Sequence, residues 1–374
     1  MKYYIIAGEA SGDLHGSNLI KALKRSDPEA SIRCWGGDLM EAEGATVVKN
    51  YRETAFMGLI EVIAHARTIA KNLKFCKQDI LEFSPDVVVL IDYPGFNLRI
   101  ARFAKANRLH VYYYISPKVW VWKESRVKTI KQFVDKMFVI FPFEKAFYAK
   151  HDYEVDFVGN PLIDAIEERR QTMVSREEFL RKNNLSERPI VALLPGSRKQ
   201  EITKLLPVMS GIVTRFPGYQ FVIASTSSFD LTFYRKYMAN SQCSLVFNQT
   251  YELLNYATAA VVASGTATLE TALFNIPQVV VYKINQATYT LVKPFVPVKY
   301  FSLVNIIMDE EVVKELLQYN LDRDIVNELG RILYECDYRE KMLFGYAELS
   351  EKCGGAGASK RVGELMVSYL RTKS

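Results

Sequence analysis

Short, continuously apolar runs rich in β-branched residues alternate along the chain with longer segments in which apolar residues recur every three or four positions. The short runs are typical of parallel strands covered on both faces, and the longer segments, such as 14–24 and 69–83, are typical of amphipathic helices. This alternation predicts an α/β protein with doubly wound sheets, in which ligands bind at the carboxyl ends of the strands. The clearest predicted strands are residues 3–7, 87–91, 111–115, 137–140, 190–194, 221–224, 259–263 and 278–282.

The alternation pauses at residues 159–161, where Gly-Asn-Pro precedes a charged helical segment, and it resumes after Pro189. A length of 374 residues suits two domains that each bury a core. We therefore predict two Rossmann-like domains that face a cleft, residues 1–163 and 164–344. A C-terminal segment, about 345–374, is free to pack back on the first domain.

Composition narrows the class of protein. Apolar residues make up 49% and charged residues 24%, which is ordinary for a globular protein and argues against disorder, collagen or a coiled coil. The net charge of +6 is only mildly basic, and we expect no nucleic-acid partner. The five scattered cysteines include no CxxC pair, which favours a reducing compartment over disulfides or zinc. With no apolar leader before the first predicted strand and no uninterrupted apolar span, we predict a cytoplasmic protein.

The turn after the first predicted strand reads Gly-Glu-Ala-Ser-Gly-Asp, residues 8–13. Small residues at such a turn let backbone N–H groups approach a ligand, and the start of the following helix favours anions. A glycine turn is also common for packing alone, and capping explains at least one of Ser11 and Asp13. Glu9 is expected to point into the cleft, because it stands at the carboxyl end of a strand.

Two further motifs follow strands of the first domain. Asp92 comes after the apolar residues 88–91, where a carboxylate suits a general base that takes a proton from an attacking hydroxyl; a turn-capping aspartate is the alternative. Trp120 and a second tryptophan lie among lysines just past another strand. Such a cluster can hold a sugar ring and a phosphate, although burial of one tryptophan is the simpler expectation.

The second domain carries two motifs suited to phosphate. Ser197 and Arg198 follow its first strand, and arginine can hold two phosphate oxygens at once; an ion pair of Arg198 with Glu201 is the alternative. The turn Ser264-Gly265-Thr266 would present free helix N–H groups to a phosphate. Glu270, one turn into that helix, could accept bonds from both ribose hydroxyls, and its spacing from the turn is one residue too long for a capping box.

Taken together, these motifs resemble the lipid-A-disaccharide synthase family, and the resemblance runs across nearly the whole chain. The family's GEASGD is residues 8–13, its aspartate-proline-Phe-Asn segment is Asp92 to Asn97, and its ISPSVWAW is Ile115 to Trp122 with Lys118 and Val121 substituted. Further matching segments are residues 141–148, 193–198, 264–270 and 313–318.

The chain departs from the family at two positions. The family often reads Ser-Leu-Pro-Asn where this chain has Val304 before Asn305, which affects the shape of that loop. His15 stands where other members can carry an apolar residue. That difference argues against His15 as the base, although related UDP-sugar enzymes use a histidine near this turn.

The resemblance implies an inverting GT-B glycosyltransferase with an acceptor-binding first domain and a UDP-sugar-binding second domain. The donor would be UDP-2,3-diacylglucosamine and the acceptor 2,3-diacylglucosamine 1-phosphate, giving a β-1,6-linked disaccharide 1-phosphate and UDP. Asp92 would be the base, with Glu9 as a second catalytic residue. No cofactor or metal is expected, and cations with helix N-termini would take the metal's place. The residues expected to bind UDP are Ser197, Arg198, Ser264, Gly265, Thr266, Glu270 and, from the resemblance alone, Asn305.

Acylated substrates require contact with a membrane surface. Residues 56–63 are apolar, and Arg67, Lys71, Lys74 and Lys77 follow at helical spacing, which suits peripheral docking on the inner leaflet. Without the resemblance, a core segment followed by a solvated helix would be preferred. A homodimer is left open. The residues assigned to acceptor or membrane contact are Ser11, Met57, Leu59, Ile60, Trp120, Lys71 and Lys74.

Two other functions share this architecture. A UDP-sugar 2-epimerase would turn over its nucleotide sugar without any lipid acceptor. A non-catalytic binding module of periplasmic type also has two α/β domains, but the lack of a leader and the acids at strand ends argue against it.

Overall fold

The computed structural model describes residues 1–53, 66–122, 124–226, 228–239, 242–283, 299–318 and 320–372. The chain divides into two compact units, Met1–Asp164 with Cys353–Ser374, and Ala165–Lys352. The return to the first unit thus begins at Cys353, later than the sequence predicts, because residues 345–352 continue a helix of the second unit.

In its described part, the first unit contains a sheet of seven parallel strands in the order β3-β2-β1-β4-β5-β6-β7. The central strand β4 is buried along its whole length, as expected where helices cover both faces. The strands are β1 (Lys2–Ala7), β2 (Ser31–Gly36), β3 (Thr46–Asn50), β4 (Val87–Ile91), β5 (His110–Tyr114), β6 (Lys136–Val139) and β7 (Asp156–Phe157).

The helices of the first unit follow its strands, and a further helix then runs into the second unit. They are α1 (Ala10–Ser26), α2 (Asp38–Ala42), α3 (Ala66–Phe83), α4 (Pro94–Ala106), α5 (Val119–Trp122), α6 (Arg126–Phe133), α7 (Pro142–Ala149) and the crossing helix α8 (Pro161–Arg170). A single 3-10 turn, Tyr51–Glu53, follows β3.

The second unit, where described, contains a sheet of six parallel strands in the order β10-β9-β8-β11-β12-β13. Its strands are β8 (Ile190–Leu194), β9 (Gln220–Ser225), β10 (Ser244–Phe247), β11 (Ala257–Ala263), β12 (Gln278–Tyr282) and β13 (Glu315–Leu317). Its helices are α9 (Arg176–Lys182), α10 (Lys199–Gly211), α11 (Leu231–Tyr237), α12 (Thr250–Tyr256), α13 (Thr266–Leu273), α14 (Leu303–Met308), α15 (Leu321–Tyr334) and α16 (Cys336–Lys352), with a 3-10 turn at Val213–Arg215.

The last helix, α17 (Ala358–Arg371), packs against α1 in the first unit. Gly363 permits this close approach, since a Cβ there would lie 2.7 Å from the Cβ of Ala22. The Asp164 carboxylate accepts the N–H groups of Gly357 (2.6 Å) and Ser359 (2.8 Å) and so caps the start of α17. The chain's return is therefore fixed by specific polar contacts as well as by apolar packing.

The prediction of two doubly wound parallel sheets is confirmed. The strand order reverses between β1 and β4 in the first sheet, and between β8 and β11 in the second. Ligands of open parallel sheets bind beyond the carboxyl ends of the strands at such switch points. Within the described residues, no helix is both long and apolar enough to cross a membrane.

Candidate active site

The first sheet brings Glu9 and Asp92 to the same edge. Ala7, the last residue of β1, pairs with Ile91, the last residue of β4, and Ile91 in turn pairs with Tyr114 at the end of β5. Asp92 follows Ile91 directly, and Glu9 follows Ala7 after one glycine. Both predicted catalytic acids therefore stand at the switch point of the first sheet.

The turn after β4 holds Asp92 in an unusual conformation. Asp92 and Tyr93 have φ angles of +41° and +46°, in the left-handed region that non-glycine residues rarely adopt. The Asn97 amide donates to the carbonyl oxygens of Ile91 (3.1 Å) and Asp92 (2.8 Å), and the Tyr113 hydroxyl also donates to the Asp92 carbonyl. Such strain costs on the order of 1–3 kcal/mol per residue and persists where neighbouring contacts hold it. These contacts fix the backbone of the turn from which the Asp92 side chain extends.

Gly8 is required by the neighbouring turn. A Cβ at Gly8 would overlap the ring of Tyr93, which lies directly over this glycine and stacks on Phe96 at a centroid distance of 5.5 Å. The glycine of the first motif therefore serves close packing, and this packing joins the turn after β1 to the turn that carries Asp92.

The surroundings of Asp92 raise the pKa of its carboxyl group. Burial raises the pKa of Asp92 to about 6, and the negative charge of Glu9 adds to the shift. The positive charge of Lys118 and the N–H of Tyr93 act in the opposite direction. The side chain nevertheless keeps access to solvent. A carboxyl that titrates near pH 6 is mostly ionised at neutral pH and is basic enough to accept a proton.

Asp13 has a structural role. Its buried carboxylate accepts the N–H groups of Gly37 (2.7 Å), Leu39 (3.2 Å) and Met40 (3.2 Å), and so caps the start of α2. Ser11 is exposed on the first turn of α1 and makes no such bond. Capping thus explains Asp13, as the sequence alternative proposes, and leaves Ser11 accessible.

His15 lies one turn further along α1. Its Nδ1 atom is buried and has no hydrogen-bond partner among the described residues. Burial lowers the pKa of His15 to about 4, because the imidazolium would lose its hydration. The side chain is therefore a neutral imidazole at physiological pH.

A buried carboxyl supports the turn after β6, against which Trp120 of the loop after β5 packs. Glu144 accepts the N–H groups of Ile140 (3.3 Å) and Phe141 (3.0 Å), and burial raises its pKa to about 7. Trp120 is half-buried and packs edge-on against Phe143 at 4.8 Å between ring centroids. Its Nε1 makes no hydrogen bond of normal geometry with the described residues. Trp120 therefore belongs largely to the packing of this loop.

The cationic helix face is present on α3. Arg67, Lys71 and Lys74 are exposed, whereas Lys77 lies over the ring of Phe103 at 5.2 Å. Phe75 is 45% exposed among the cations, a feature that the sequence pattern does not single out. Met57, Leu59 and Ile60, with the rest of 56–63, lie outside the described residues.

In the second unit, Arg198 is the N-cap residue of α10, in the turn that follows β8. Its N–H donates to Glu201 at 3.3 Å, and its guanidinium lies 3.7 Å from the same carboxylate, so the ion pair considered as an alternative is present. The Arg198 side chain is 72% exposed, and a long pair of this kind contributes about 0–1 kcal/mol. Ser197 beside it is exposed. The Arg198 guanidinium can therefore leave Glu201 and bind a stronger anion with little loss of free energy.

The turn after β11 leaves the start of α13 open. Gly265 occupies the N-cap position without a side-chain cap, and a Cβ there would meet no atom within 4 Å. Thr266 is exposed, whereas the Ser264 hydroxyl donates to the carbonyl of Phe301 at 2.9 Å. An uncapped helix start beside open space is suited to an anion.

Glu270 lies one turn inside α13. The Tyr251 hydroxyl donates to it at 3.0 Å, and burial raises the pKa of Glu270. Tyr251 is a partner that sequence reasoning missed, since it stands on α12. Glu270 still has acceptor capacity for a ligand hydroxyl, because a carboxylate can accept several bonds.

Asn305 organises a loop. Its amide donates to Val313 (2.8 Å) and Glu315 (2.9 Å) and accepts from Val312 (2.9 Å) and Val313 (3.0 Å), which uses its full hydrogen-bonding capacity. Glu315, also missed by sequence reasoning, further accepts the N–H groups of Phe301 and Ser302, both at 2.8 Å. This network fixes residues 301–302, whose Phe301 carbonyl also accepts the Ser264 hydroxyl.

The described residues contain no group of three or more His, Cys, Asp or Glu side chains placed to hold a metal ion.

Known proteins share the fold. The UDP-GlcNAc 2-epimerase of Neisseria meningitidis, solved with UDP-GlcNAc bound, has a TM-score of 0.72 at 13% identity and covers 98% of this chain and 100% of its own. The calicheamicin glycosyltransferase CalG4 has a TM-score of 0.61 at 14% identity, covering 100% of this chain and 99% of its own. The fold is GT-B, and since an epimerase and a glycosyltransferase both have it, the fold alone does not decide the reaction.

Sequence relatives decide the family. The family described as lipid-A-disaccharide synthetase matches residues 3–342. The lipid-A-disaccharide synthase of Geobacter metallireducens is 40% identical over 377 residues, which cover 99% of this chain and 97% of that protein. The chain therefore belongs to the lipid-A-disaccharide synthase family and is a glycosyltransferase that forms the lipid A disaccharide.

Proposed function

We propose that the chain transfers 2,3-diacylglucosamine from UDP to the 6-hydroxyl of 2,3-diacylglucosamine 1-phosphate, with inversion at the anomeric carbon. The products are a β-1,6-linked disaccharide 1-phosphate and UDP. The first unit binds the acceptor and the second binds the UDP-sugar. The observation that supports this most directly is the Asp92 carboxyl, held at the switch point of the first sheet with a pKa raised to about 6.

On the acceptor side, Asp92 takes the proton of the attacking hydroxyl. The hydroxyl oxygen forms the new bond to the anomeric carbon while the bond from that carbon to UDP breaks, and UDP leaves with the electron pair. The negative charge of Glu9 favours the protonated form of Asp92 and so assists the proton transfer. The strained turn keeps Asp92 in place through this step.

On the nucleotide side, the uncapped start of α13 and the Arg198 guanidinium bind the pyrophosphate. Ser197 and Thr266 offer exposed hydroxyls beside them, and Glu270 accepts from the ribose hydroxyls. Ser264 and Asn305 act indirectly. The Ser264 hydroxyl donates to the carbonyl of Phe301, and the Asn305 side chain positions Glu315, which accepts the N–H groups at 301–302. Positive charge at these positions offsets the charge that develops on the leaving UDP.

The cationic face of α3 is proposed to dock the enzyme peripherally on the inner leaflet from the cytoplasmic side. Arg67, Lys71 and Lys74 are exposed on one helix, and Phe75 adds exposed apolar surface next to them. Cations near an anionic surface each contribute on the order of 1 kcal/mol to binding, while the apolar group can enter the headgroup region. Acyl chains would then pass from the bilayer to the first unit.

The linkage in the product tests the inverting mechanism. Nuclear magnetic resonance of the isolated disaccharide should show a β linkage to the 6-position, formed from a donor in which UDP is α-linked. An α linkage would require retention and would remove Asp92 as a simple general base. Linkage to another hydroxyl would leave the base in place but would change the proposed acceptor geometry.

A further inference from the structure

The carboxyl edge of the first sheet carries three charged residues on consecutive strands. Glu9 follows β1, Asp92 follows β4 and Lys118 follows β5, and these strands are direct neighbours in the order β1-β4-β5. Adjacent strands lie about 4.8 Å apart. Asp92 therefore has an acid on one side and a cation on the other.

Lys118 stands on a turn whose backbone is well fixed. The N–H of Ile115 donates to the carbonyl of Phe138 (3.0 Å), and the N–H of Val119 donates to that of Pro117 (2.6 Å). The hydroxyl of Ser116, two residues before Lys118, lies 2.7 Å from that of Tyr148. The Lys118 side chain is exposed, and its positive charge acts on Asp92.

The charged groups on the two sides of Asp92 have opposite signs. Glu9 raises the pKa of Asp92, whereas Lys118 and the N–H of Tyr93 lower it. Tyr113, on β5, faces the same turn through its hydroxyl, which donates to the Asp92 carbonyl. The site is therefore electrically polarised along the sheet edge, from negative beyond β1 to positive beyond β5.

We propose that Lys118 binds the 1-phosphate of the acceptor and so orients the acceptor sugar, with the phosphate on the β5 side and the 6-hydroxyl at Asp92. This inference rests on the proposed function. In a hexopyranose the ring oxygen joins C1 to C5, and C6 is attached to C5, so the 1- and 6-substituents lie at the same edge of the ring and groups on neighbouring strand ends can reach both. A reversed acceptor would bring its phosphate toward Glu9, and repulsion between like charges would disfavour that orientation.

The test compares two acceptors in nonionic detergent micelles, 2,3-diacylglucosamine 1-phosphate and its dephosphorylated form. Lys118→Met should raise KM for the phosphorylated acceptor by roughly tenfold, the loss expected for one charge-assisted hydrogen bond. KM for the dephosphorylated acceptor and for the donor should stay unchanged. Lys118→Arg should restore most of the affinity. Lys145→Met, which removes an exposed lysine from α7, is the matched control and should change neither KM.

A pH profile separates direct binding from a structural effect. With the dephosphorylated acceptor, Lys118→Met should move the acidic limb of kcat/KM to higher pH, because the cation that lowers the pKa of Asp92 is gone. Lys118→Arg should leave the limb in place. An unchanged limb in Lys118→Met, or equal losses with both acceptors, would overturn the proposal. If the wild type forms no disaccharide from either acceptor, the proposed function itself fails instead.

Discussion

At the scale of the residue, Asp92 is predicted to carry the chemistry. Asp92→Asn preserves the shape of the turn but cannot accept a proton, so kcat should fall by roughly 10²–10⁴-fold while UDP binding persists. In the wild type, kcat/KM should decline as the pH falls through about 6, where Asp92 becomes protonated. Near-full activity of the variant would assign the base to another group.

The raised pKa of Asp92 should also affect how the stability of the fold depends on pH. Asp92 binds its proton more tightly in the folded than in the unfolded chain, so its contribution to stability decreases as the pH rises from 3.8 to about 6. Asp92→Asn should therefore raise Tm at pH 8 and leave it nearly unchanged near pH 4, as followed by calorimetry. A lower Tm at pH 8 would mean that the carboxylate stabilises the turn.

Arg198 is the second residue whose role can be isolated. Arg198→Ala should weaken UDP binding by roughly 10- to 100-fold, the range for charge-assisted hydrogen bonds, because the exposed pair with Glu201 leaves the guanidinium available. Isothermal titration with UDP measures this directly. Arg181→Ala, at an exposed position on α9, should bind UDP normally. Unchanged affinity in Arg198→Ala would move the pyrophosphate elsewhere.

At the scale of the element, two turn glycines should respond differently to the same change. Gly8→Ala places a methyl group into the Tyr93 ring and should cost about 1–3 kcal/mol of stability, lowering Tm and turnover together. Gly265→Ala adds its methyl to open space and should keep Tm but weaken UDP binding. If Gly265→Ala binds UDP normally, the phosphate does not approach the start of α13.

The helix α3 is predicted to bind membranes. Replacing Arg67, Lys71 and Lys74 by Gln should reduce co-sedimentation with anionic vesicles, and salt should do the same to the wild type by screening. The control replaces the exposed Lys145 and Lys150, which lie outside α3, and should have no effect. Replacing Met57 and Leu59 by Ser should also reduce co-sedimentation, because apolar contact adds to the charge attraction. If co-sedimentation is unchanged both by these replacements and by salt, α3 is not the membrane-docking surface.

Sequence patterns predicted the central strands better than the edges. Strands β4, β8 and β12 are buried apolar runs whose bounds the sequence predicts to the residue, because burial on both faces leaves an uninterrupted apolar signal. The predicted strands omit β2, β3 and β10, which contain polar residues, as well as β7, of two residues, and β13, of three. Short strands at or near an edge carry too few apolar positions to be distinguished from loops.

Site residues were predictable where the chain itself places them. Glu9 and Asp92 follow strands, so their position in sequence determines their position at the sheet edge. The roles of Glu144, Tyr251 and Glu315 depend on partners that only folding brings near, such as Glu270 for Tyr251. Asn305 was expected to bind the nucleotide. Its side-chain amide is instead fully used in hydrogen bonds within its own loop, which the sequence does not reveal.

At the scale of the whole molecule, one unit is proposed to bind the acceptor and the other the nucleotide. Family membership shows that the chain forms the lipid A disaccharide. The GT-B fold is shared with a UDP-GlcNAc 2-epimerase. An epimerisation has no second sugar substrate, whereas a glycosyl transfer requires an acceptor, so the acceptor requirement separates the two reactions. A sugar nucleotide should therefore stay intact until the acylated sugar phosphate is added.

The most direct measurement is mass spectrometry of the products formed from UDP-2,3-diacylglucosamine with and without 2,3-diacylglucosamine 1-phosphate. The account predicts one disaccharide 1-phosphate for each UDP released, no reaction of the donor alone, and a strongly reduced yield with Asp92→Asn. Conversion of the donor in the absence of acceptor, or release of UDP without any disaccharide, would contradict it.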